Sequence, residues 1–153
     1  MNIEAAVGEL VDRQAITELI YSYCECFDRN DPDGVAELFM PDAIIDYNPD
    51  TPNITGAELA SSIAIGLRDT FAATSHHVSN VMITFESSDT ARSLCYVDAW
   101  HRYRNCDPDG FLWGRYLHCY TRTEAGWRIT SLLLPAAGTI DFHRERMHGI
   151  GRG

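Results

Sequence analysis

Residues 75–87 read SHHVSNVMITFES, a stretch rich in β-branched and apolar residues that predicts a long β-strand. Three similar segments follow, namely TARSLCYVDAWHRYR at 90–104, FLWGRYLHCYTRT at 111–123 and GWRITSLLLPA at 126–136. Short turn signals, SSD, CDPDG and EAG, separate these segments. Four strands joined in series by short loops predict an antiparallel meander, so this half of the chain is expected to form a sheet.

The residues before this sheet are predicted to be mainly helical. Residues 5–29 carry one apolar stripe at helical spacing, which predicts a first helix. The stripe consists of Ile16, Ile20, Tyr23 and Phe27. The helix is expected to end near Asn30, because the turn signal DPDG follows at once.

Two shorter helices and one short strand complete this half. Asp31 and Pro32 suit the start of a second helix through VAELF, since Asp caps helices and Pro fits their first turn. The segment AIIDY at 43–47 predicts a strand, and residues 56–71 predict a third helix with Thr55 as its cap. Helices first and a sheet later define an α+β fold. Three N-terminal helices on one face of a curved antiparallel sheet would close a cone around a pocket.

The composition excludes several function classes. The chain has 153 residues, which fits one domain, and its net charge of −10 would repel nucleic acid. No stretch approaches the roughly 18 to 20 apolar residues that cross a bilayer. The polar, acidic N-terminus does not resemble a secretion signal, so no membrane partner and a cytoplasmic location are expected. The five cysteines lack C-x-x-C spacing, which predicts reduced thiols and no metal site.

The adjacent histidines of the first strand cannot both face a pocket, because neighbouring side chains of a strand point to opposite faces. His76 shares its face with Asn80, and His77 lies on the other face. His76 is either a hydrogen-bonded structural histidine or a general acid/base. Asp28, at the end of the first helix, is either a solvated carboxylate or the partner that fixes the tautomer of His76.

Other polar side chains fall on strands that are otherwise apolar. His101 is either a core residue or part of a pocket wall, and Tyr47 closes its short strand, where packing is the common role. Tyr116, His118 and Tyr120 share one face, which is typical of a core or a subunit interface. The sequence has no G-x-S-x-G, P-loop or dinucleotide motif. Acid/base chemistry in an apolar pocket is what remains.

Three segments carry a family resemblance. YCECFDRNDPDGVAELFMPDAIIDY at 23–47, TSHHVSN at 74–80 and GRYLHCYTRTEAGWRI at 114–129 resemble the polyketide-cyclase-like, or SnoaL-like, branch of the nuclear transport factor 2-like superfamily. Within that branch the scytalone dehydratases are the most similar group. The resemblance runs from about residue 8 to 135 and implies a single SnoaL-like domain over 1–153, with residues 136–153 as a C-terminal tail.

The resemblance implies an α+β cone, or open barrel, and a dehydratase that needs no metal or organic cofactor. Asp28 and His76 resemble the family's catalytic pair. Tyr47 in AIIDY and His101 in WHRYR resemble its tyrosine and its second histidine. The expected substrate is a small hydroxylated cyclic or aromatic ketone. His76 would move the proton at carbon, Tyr47 would polarise the carbonyl, and His101 would protonate or bind the departing hydroxyl.

Four more positions are implied to bind substrate. Phe27 stands where the family has a tyrosine, and the family's pocket Ser and Asn fall near Gly114 and Tyr116. Asn80 follows His76 in an H-x-x-x-N context that dehydrochlorinases of the superfamily share. The departures from the family at Phe27, Gly114 and Tyr116 imply that the substrate is a ring compound other than the family's own.

Other functions of the same fold remain open. An isomerase or cyclase and a dehydrohalogenase would use the same proton abstraction, and a small-ligand-binding module or the small subunit of a dioxygenase would use none. Tyr, Trp and His residues on the exposed sheet face predict a homo-oligomer, and the family resemblance implies a trimer first and a dimer next. The short, Gly-rich segment HRERMHGIGRG at 143–153 is expected to be a loose end or a subunit contact.

Overall fold

The computed structural model describes residues 2–151. The helices are α1 (Ile3–Asp28), α2 (Pro32–Glu37) and α3 (Gly56–Ile65), and a π-helical turn at Gly66–Thr70 follows the last of them. The strands are β1 (Phe39–Asp46), β2 (Ile54–Thr55), β3 (Phe71–Phe85), β4 (Thr90–Tyr103), β5 (Gly110–Thr123), β6 (Gly126–Leu133), β7 (Pro135–Ile140) and β8 (His148–Gly149). The predicted α+β fold is confirmed.

The helices begin and end close to where the capping signals place them. The side chain of Asn2 accepts a hydrogen bond from the backbone N–H of Glu4 and caps α1. Asp31 caps α2 through the N–H of Gly34, as predicted. The chain turns between α1 and α2 at Asn30, whose φ of 57° is the left-handed conformation that Asn tolerates. The predicted first and second helices are therefore confirmed.

The third helix is shorter than predicted. It ends at Ile65, and the π-helical turn leads directly into β3, whose first residue, Phe71, pairs with Tyr103. The side chain of Leu67 in this turn is still buried, so the apolar spacing continues although the α-helix has ended. An apolar period alone does not distinguish the two conformations, which is why the prediction ran on to residue 71.

The strands form one mixed sheet in the order β2-β1-β6-β5-β4-β3. The predicted meander from β3 to β6 is confirmed, because each of these strands pairs antiparallel with the next. The prediction of a wholly antiparallel sheet is wrong, since β1 lies parallel to β6. The strand also begins at Phe39, before the predicted residue 43. Pairing between strands that are far apart in sequence leaves no local pattern from which it can be predicted.

The inner face of the sheet and one face of α1 form the core. Alternate residues of β4 and β5 are buried. Bulges bend β3 and β5, so the sheet curves and its inner face becomes concave. The stripe of α1 packs into this curve with Ile16, Ile20 and Tyr23 almost fully buried. Within the described residues the sheet stays open, with β2 and β3 at its edges. The result is a cone covered by helices.

The chain after β6 is not a loose end. β7 pairs antiparallel with β5, and β8 pairs with β7. Nε2 of His148 lies 2.7 Å from a carboxylate oxygen of Asp46, and Arg146 forms an ion pair with Asp50. The expectation of a loose end at residues 143–153 is therefore wrong over the part that the structure describes, and a subunit contact there stays a prediction. Small residues and glycines hid a short strand, because they give little alternation of apolar and polar side chains.

The remaining surface features concern thiols and partners. None of the five cysteines forms a disulfide; Cys24, Cys26 and Cys95 are buried, and Cys106 and Cys119 are exposed. Tyr96, Phe111 and Trp113 are partly exposed on the outer face of the sheet. Self-association through this face stays a prediction.

Among residues 2–151, the structure has no helix both long and apolar enough to cross a membrane.

Gly56 is expected to be essential for the packing of α3 on β1. A Cβ at this position would overlap the backbone carbonyl oxygen of Met40, so Gly56→Ala should destabilise the fold by about 1 to 3 kcal/mol. Gly8→Ala is the matched control, because Gly8 lies within α1 with open space around it, and alanine there should stabilise by about 0.5 to 1 kcal/mol. Urea unfolding measures both; equal effects would contradict the packing argument.

Candidate active site

A cavity of about 210 Å³ lies between the helices, the inner face of the sheet and the tail. Its wall is largely aromatic, and the rings are those of Tyr23, Phe27, Tyr47, Phe71, Tyr116 and Phe142. An apolar cavity of about 150 Å³ accommodates a benzene molecule. The volume here therefore suits one six-membered ring with one or two small substituents.

Asp28 and His76 meet at one wall of this cavity. Nδ1 of His76 lies 2.7 Å from Oδ1 of Asp28, and the backbone N–H of His76 donates to Oδ2 at 2.9 Å. The hydroxyl of Thr74 donates to Oδ1 at 2.8 Å. The side chains of His76 and Asp28 are 8% and 28% exposed. The last residue of α1 and the start of β3 are thus joined by a buried imidazole and a half-covered carboxylate.

These hydrogen bonds fix the chemistry of the imidazole. Burial would raise the pKa of Asp28, but the bonds from His76 and Thr74 outweigh it and hold the pKa below its ordinary value. An ionised carboxylate accepts only, so Nδ1 of His76 carries the proton. The lone pair then lies on Nε2, and the imidazole ring forms part of the cavity wall. The arrangement is a base that is oriented by a carboxylate.

His101 occupies the neighbouring strand and contacts the same space. Its ring centroid lies 5.3 Å from that of His76, and the two rings are perpendicular. His101 is 5% exposed, and its Nδ1 has no hydrogen-bond partner among the described residues. Burial is the main cause that lowers the pKa of His101 to about 3, and the neighbouring His76 and Arg144 act in the same direction. His101 is therefore a neutral imidazole at ordinary pH, able to donate one N–H but not to act as a cationic acid.

Two tyrosine hydroxyls supply hydrogen-bond donors in the site. The hydroxyls of Tyr47 and Tyr23 lie 2.9 Å apart, and both side chains are buried. Burial raises the pKa of Tyr47 to about 12, against lowering influences from Tyr23 and Arg144. Tyr47 is consequently a neutral phenol, held in place by a second phenol. It can donate a hydrogen bond to an oxygen atom of a ligand.

The tail completes the wall with Phe142, His143 and Arg144, which the sequence did not single out. The guanidinium carbon of Arg144 lies 5.0 Å from the centre of the Tyr47 ring.

Tyr23 was recognised only as part of an apolar stripe. Its hydroxyl, one turn before Phe27 and Asp28, was the signal available in the sequence for a polar group at that end of α1.

Five of the eight predicted site residues line the cavity, and a sixth, Asp28, is hydrogen-bonded to one of them, His76. The five are Phe27, Tyr47, His76, His101 and Tyr116. His77 is exposed and points away, as the alternation rule predicted. The catalytic and substrate-binding roles of the six stay predictions.

Asn80 is not among the residues that line the cavity, and its predicted contact with substrate stays a prediction. It is exposed and has a φ of 53°, at the bulge between Ser79 and Met82 of β3. A bulge breaks the strict alternation of faces, so the step from His76 to Asn80 no longer keeps one side.

Gly114 is also absent from the wall of the cavity. A Cβ there would lie 2.9 Å from the backbone oxygen of Pro135 and from Cδ2 of Leu112. The glycine allows the start of β7 to approach β5 closely. Gly114 therefore serves packing between these strands, and its predicted contact with substrate stays a prediction.

Fold and cavity together define a protein of the nuclear transport factor 2-like class. The chain belongs to the SnoaL-like domain family, whose sequence profile matches residues 8–132. A candidate scytalone dehydratase from Novosphingobium aromaticivorans is 32% identical over 95% of this chain and 97% of its own, with a TM-score of 0.89. The predicted family is thus confirmed.

Two further structures are similar. A candidate aromatic ring hydroxylase from Novosphingobium aromaticivorans is 25% identical over 82% of this chain and 88% of its own, with a TM-score of 0.75. A hexachlorocyclohexane dehydrochlorinase from Novosphingobium barchaimii shares the fold at 16% identity, covering 96% of this chain and 99% of its own, with a TM-score of 0.80. No curated protein matches the chain significantly.

The hydrogen bonds of Asp28 can be tested through its ionisation. The carboxyl pKa in the folded protein should lie below its ordinary value of 3.8, and His76→Ala should raise it, because burial remains and the ring N–H is lost. Ionised Asp28 therefore stabilises the fold above about pH 4, and this contribution is lost as the pH falls through the lowered pKa. Carbon NMR titration of the aspartate carboxyls measures the pKa.

His77→Ala is the control, since His77 is exposed and bonds only the hydroxyl of Ser75. It should leave the pKa of Asp28 unchanged. An Asp28 pKa that is identical in both variants would show that the imidazole of His76 does not hold the carboxylate in solution.

Proposed function

We propose that the chain is a cofactor-independent hydro-lyase that removes water from a small cyclic ketone bearing a hydroxyl group β to the carbonyl. The observation that carries this proposal is the 2.7 Å hydrogen bond between Nδ1 of His76 and Asp28 at the wall of the cavity. It supplies an oriented base next to an aromatic space of the right size for one ring. The similar candidate scytalone dehydratase supports the same class of reaction.

The first step is proton abstraction at the carbon next to the carbonyl. Nε2 of His76 takes the proton, and the electron pair of the C–H bond moves into an enolate. The hydroxyl of Tyr47 donates a hydrogen bond to the enolate oxygen while the hydroxyl of Tyr23 holds the phenol in place. The high pKa of Tyr47 keeps its proton on the phenol, so the stabilisation is a hydrogen bond from a preorganised donor.

The second step expels the hydroxyl group. The enolate re-forms the carbonyl, a carbon–carbon double bond forms, and the C–O bond breaks. The proton held by His76 passes to the leaving oxygen, so that one water and one enone result and His76 is neutral again. His101 donates its N–H to the leaving oxygen. It does not protonate that oxygen as a cation, because its pKa of about 3 keeps it neutral.

These groups supply enough rate acceleration for an activated substrate. A positioned general base typically contributes about 10²- to 10⁴-fold. A preorganised donor to an oxyanion contributes roughly another 10²- to 10³-fold. Removal of a proton next to a ketone carbonyl is already assisted by that carbonyl, so these two contributions account for a useful rate.

Related reactions share the first step. Isomerisation, ring closure and halide elimination also begin with a proton taken from carbon, and a hexachlorocyclohexane dehydrochlorinase has the same fold. The neutral His101 beside the leaving group favours a hydroxyl, which accepts a hydrogen bond better than a halide does. A purely ligand-binding role would not need the contact between Asp28 and His76. A homo-oligomer in the cytoplasm stays part of the proposal.

His76→Ala should lower kcat/KM for a β-hydroxycyclohexanone by about 10²- to 10⁴-fold, because it removes the base. His77→Ala is the matched control, one residue further along the strand on the opposite face, and should retain wild-type activity. Formation of the enone is followed by its ultraviolet absorbance, and thermal unfolding confirms that both variants fold. Full activity of His76→Ala would refute the assignment.

Tyr47→Phe should lower kcat by about 10²- to 10³-fold and change KM little, because its hydrogen bond to oxygen strengthens as charge develops. Tyr21→Phe, an exposed tyrosine on α1, serves as control and should have no effect. Equal kcat values for wild type and Tyr47→Phe would exclude the phenol as the donor to the enolate.

A further inference from the structure

Arg144 differs from the other described arginines in having no oxygen acceptor for its guanidinium. The sequence has twelve arginines and no lysine, and one of them, Arg152, lies outside the described residues. Ten of the other eleven hold an oxygen acceptor, a carboxylate or a backbone carbonyl, in the structure. Arg144 alone has no such acceptor among residues 2–151.

Arg144 faces the aromatic wall of the cavity. Its guanidinium lies over the ring of Tyr47 at the wall of the cavity. The hydroxyls of Tyr23 and Tyr116 are near enough to influence its pKa. Arg144 is partly buried at this wall, and the loss of surrounding water lowers the pKa of its guanidinium from the ordinary value. The site therefore holds a charge that is partly desolvated and has no counter-charge from the described chain.

A shortage of carboxylates does not explain the missing partner. The chain has 22 acidic residues and only 12 basic ones, and Arg146, two residues further along, is paired with Asp50. A partly desolvated cation without a partner is unfavourable. The cost is offset if a ligand brings the anion, and the planar guanidinium fork binds a carboxylate through two parallel hydrogen bonds.

We propose that the ligand of this cavity carries a carboxylate that pairs with Arg144, so that the substrate is a ring ketone acid. The inference rests on the cavity being the substrate site proposed above. The ring would lie against the aromatic wall, with its carbonyl at Tyr47 and its acidic C–H at His76. A cavity of about 210 Å³ has room for one ring and such a substituent.

A matched pair of ligands tests the charge directly. A cyclohexanone carboxylate and the corresponding carboxamide have the same shape, and only the first is an anion. Calorimetry with the wild-type protein should show tighter binding of the carboxylate, by roughly 10- to 100-fold, since hydrogen bonds to charged groups are worth about 1.5 to 3 kcal/mol.

Two variants locate the preference. Arg144→Gln should abolish the preference for the carboxylate. Its affinity for the carboxylate should fall to that for the carboxamide, and its affinity for the carboxamide should stay near the wild-type value. Arg144→Lys should keep part of the preference, because the charge remains and the fork is lost. Arg92→Gln is the control, since it removes one positive charge from an exposed pair with Glu86 and should keep the full preference. Thermal unfolding shows whether each variant is folded.

Two results would overturn the inference. One is equal binding of the two probes by the wild-type protein. The other is an Arg144→Gln variant that loses affinity for both probes equally, which would place Arg144 at the carbonyl oxygen or in the wall. Binding does not need turnover, so His76→Ala should keep the preference. A preference without any dehydration would refute the proposed reaction and leave the anion site standing.

Discussion

The fold depends on covering the inner face of a curved sheet with one long helix. Burying an Ile or Leu side chain is worth about 1.5 to 3 kcal/mol, and Ile16 and Ile20 of α1 are completely buried. Arg13 donates to the backbone oxygen of Ile83, and Asp12 accepts from Arg122 and Trp127, so polar contacts fix where the helix crosses the sheet. Because the crossing is fixed, the last residue of the helix, Asp28, comes to lie over the start of β3.

Inside the cone, burial assigns a protonation state to each group. Hydrogen bonds keep Asp28 ionised, while burial keeps His101 and Tyr47 neutral. One nitrogen, Nε2 of His76, is then free to accept a proton, and the hydroxyl of Tyr47 is free to donate a hydrogen bond. The proposed roles, His76 as base and Tyr47 as hydrogen-bond donor, therefore follow from solvent exclusion.

Local patterns predicted the parts of the site that local geometry controls. Alternation in a strand separated His76 from His77. The signals for the end of the first helix placed Asp28 there, and Asp28 is the last residue of α1. The same alternation failed at Asn80, because a bulge inserted a residue that no composition signal announces. The parallel pairing of β1 with β6 was not predictable, since it joins residues that are far apart in the sequence, 90 positions in the pair Phe39 and Ile129.

The tail escaped prediction for a related reason. Arg144 lies far along the chain from Tyr47, and only the folded sheet brings the two together. Charge counting finds the residue but not its isolation from carboxylates. A sequence can show which chemistry is available, and the long-range packing decides which side chains share one space.

The placement of Phe142, His143 and Arg144 has a practical consequence. Phe142 and His143 line both the cavity and a second hollow beside Tyr103 and Pro108, so this strip of chain lies between the two spaces. An affinity tag or fusion partner joined shortly after Arg144 would therefore disturb the wall of the cavity. For any assay of this protein, the amino end of α1, where Ile3 and Val7 are exposed to solvent, is the safer attachment point.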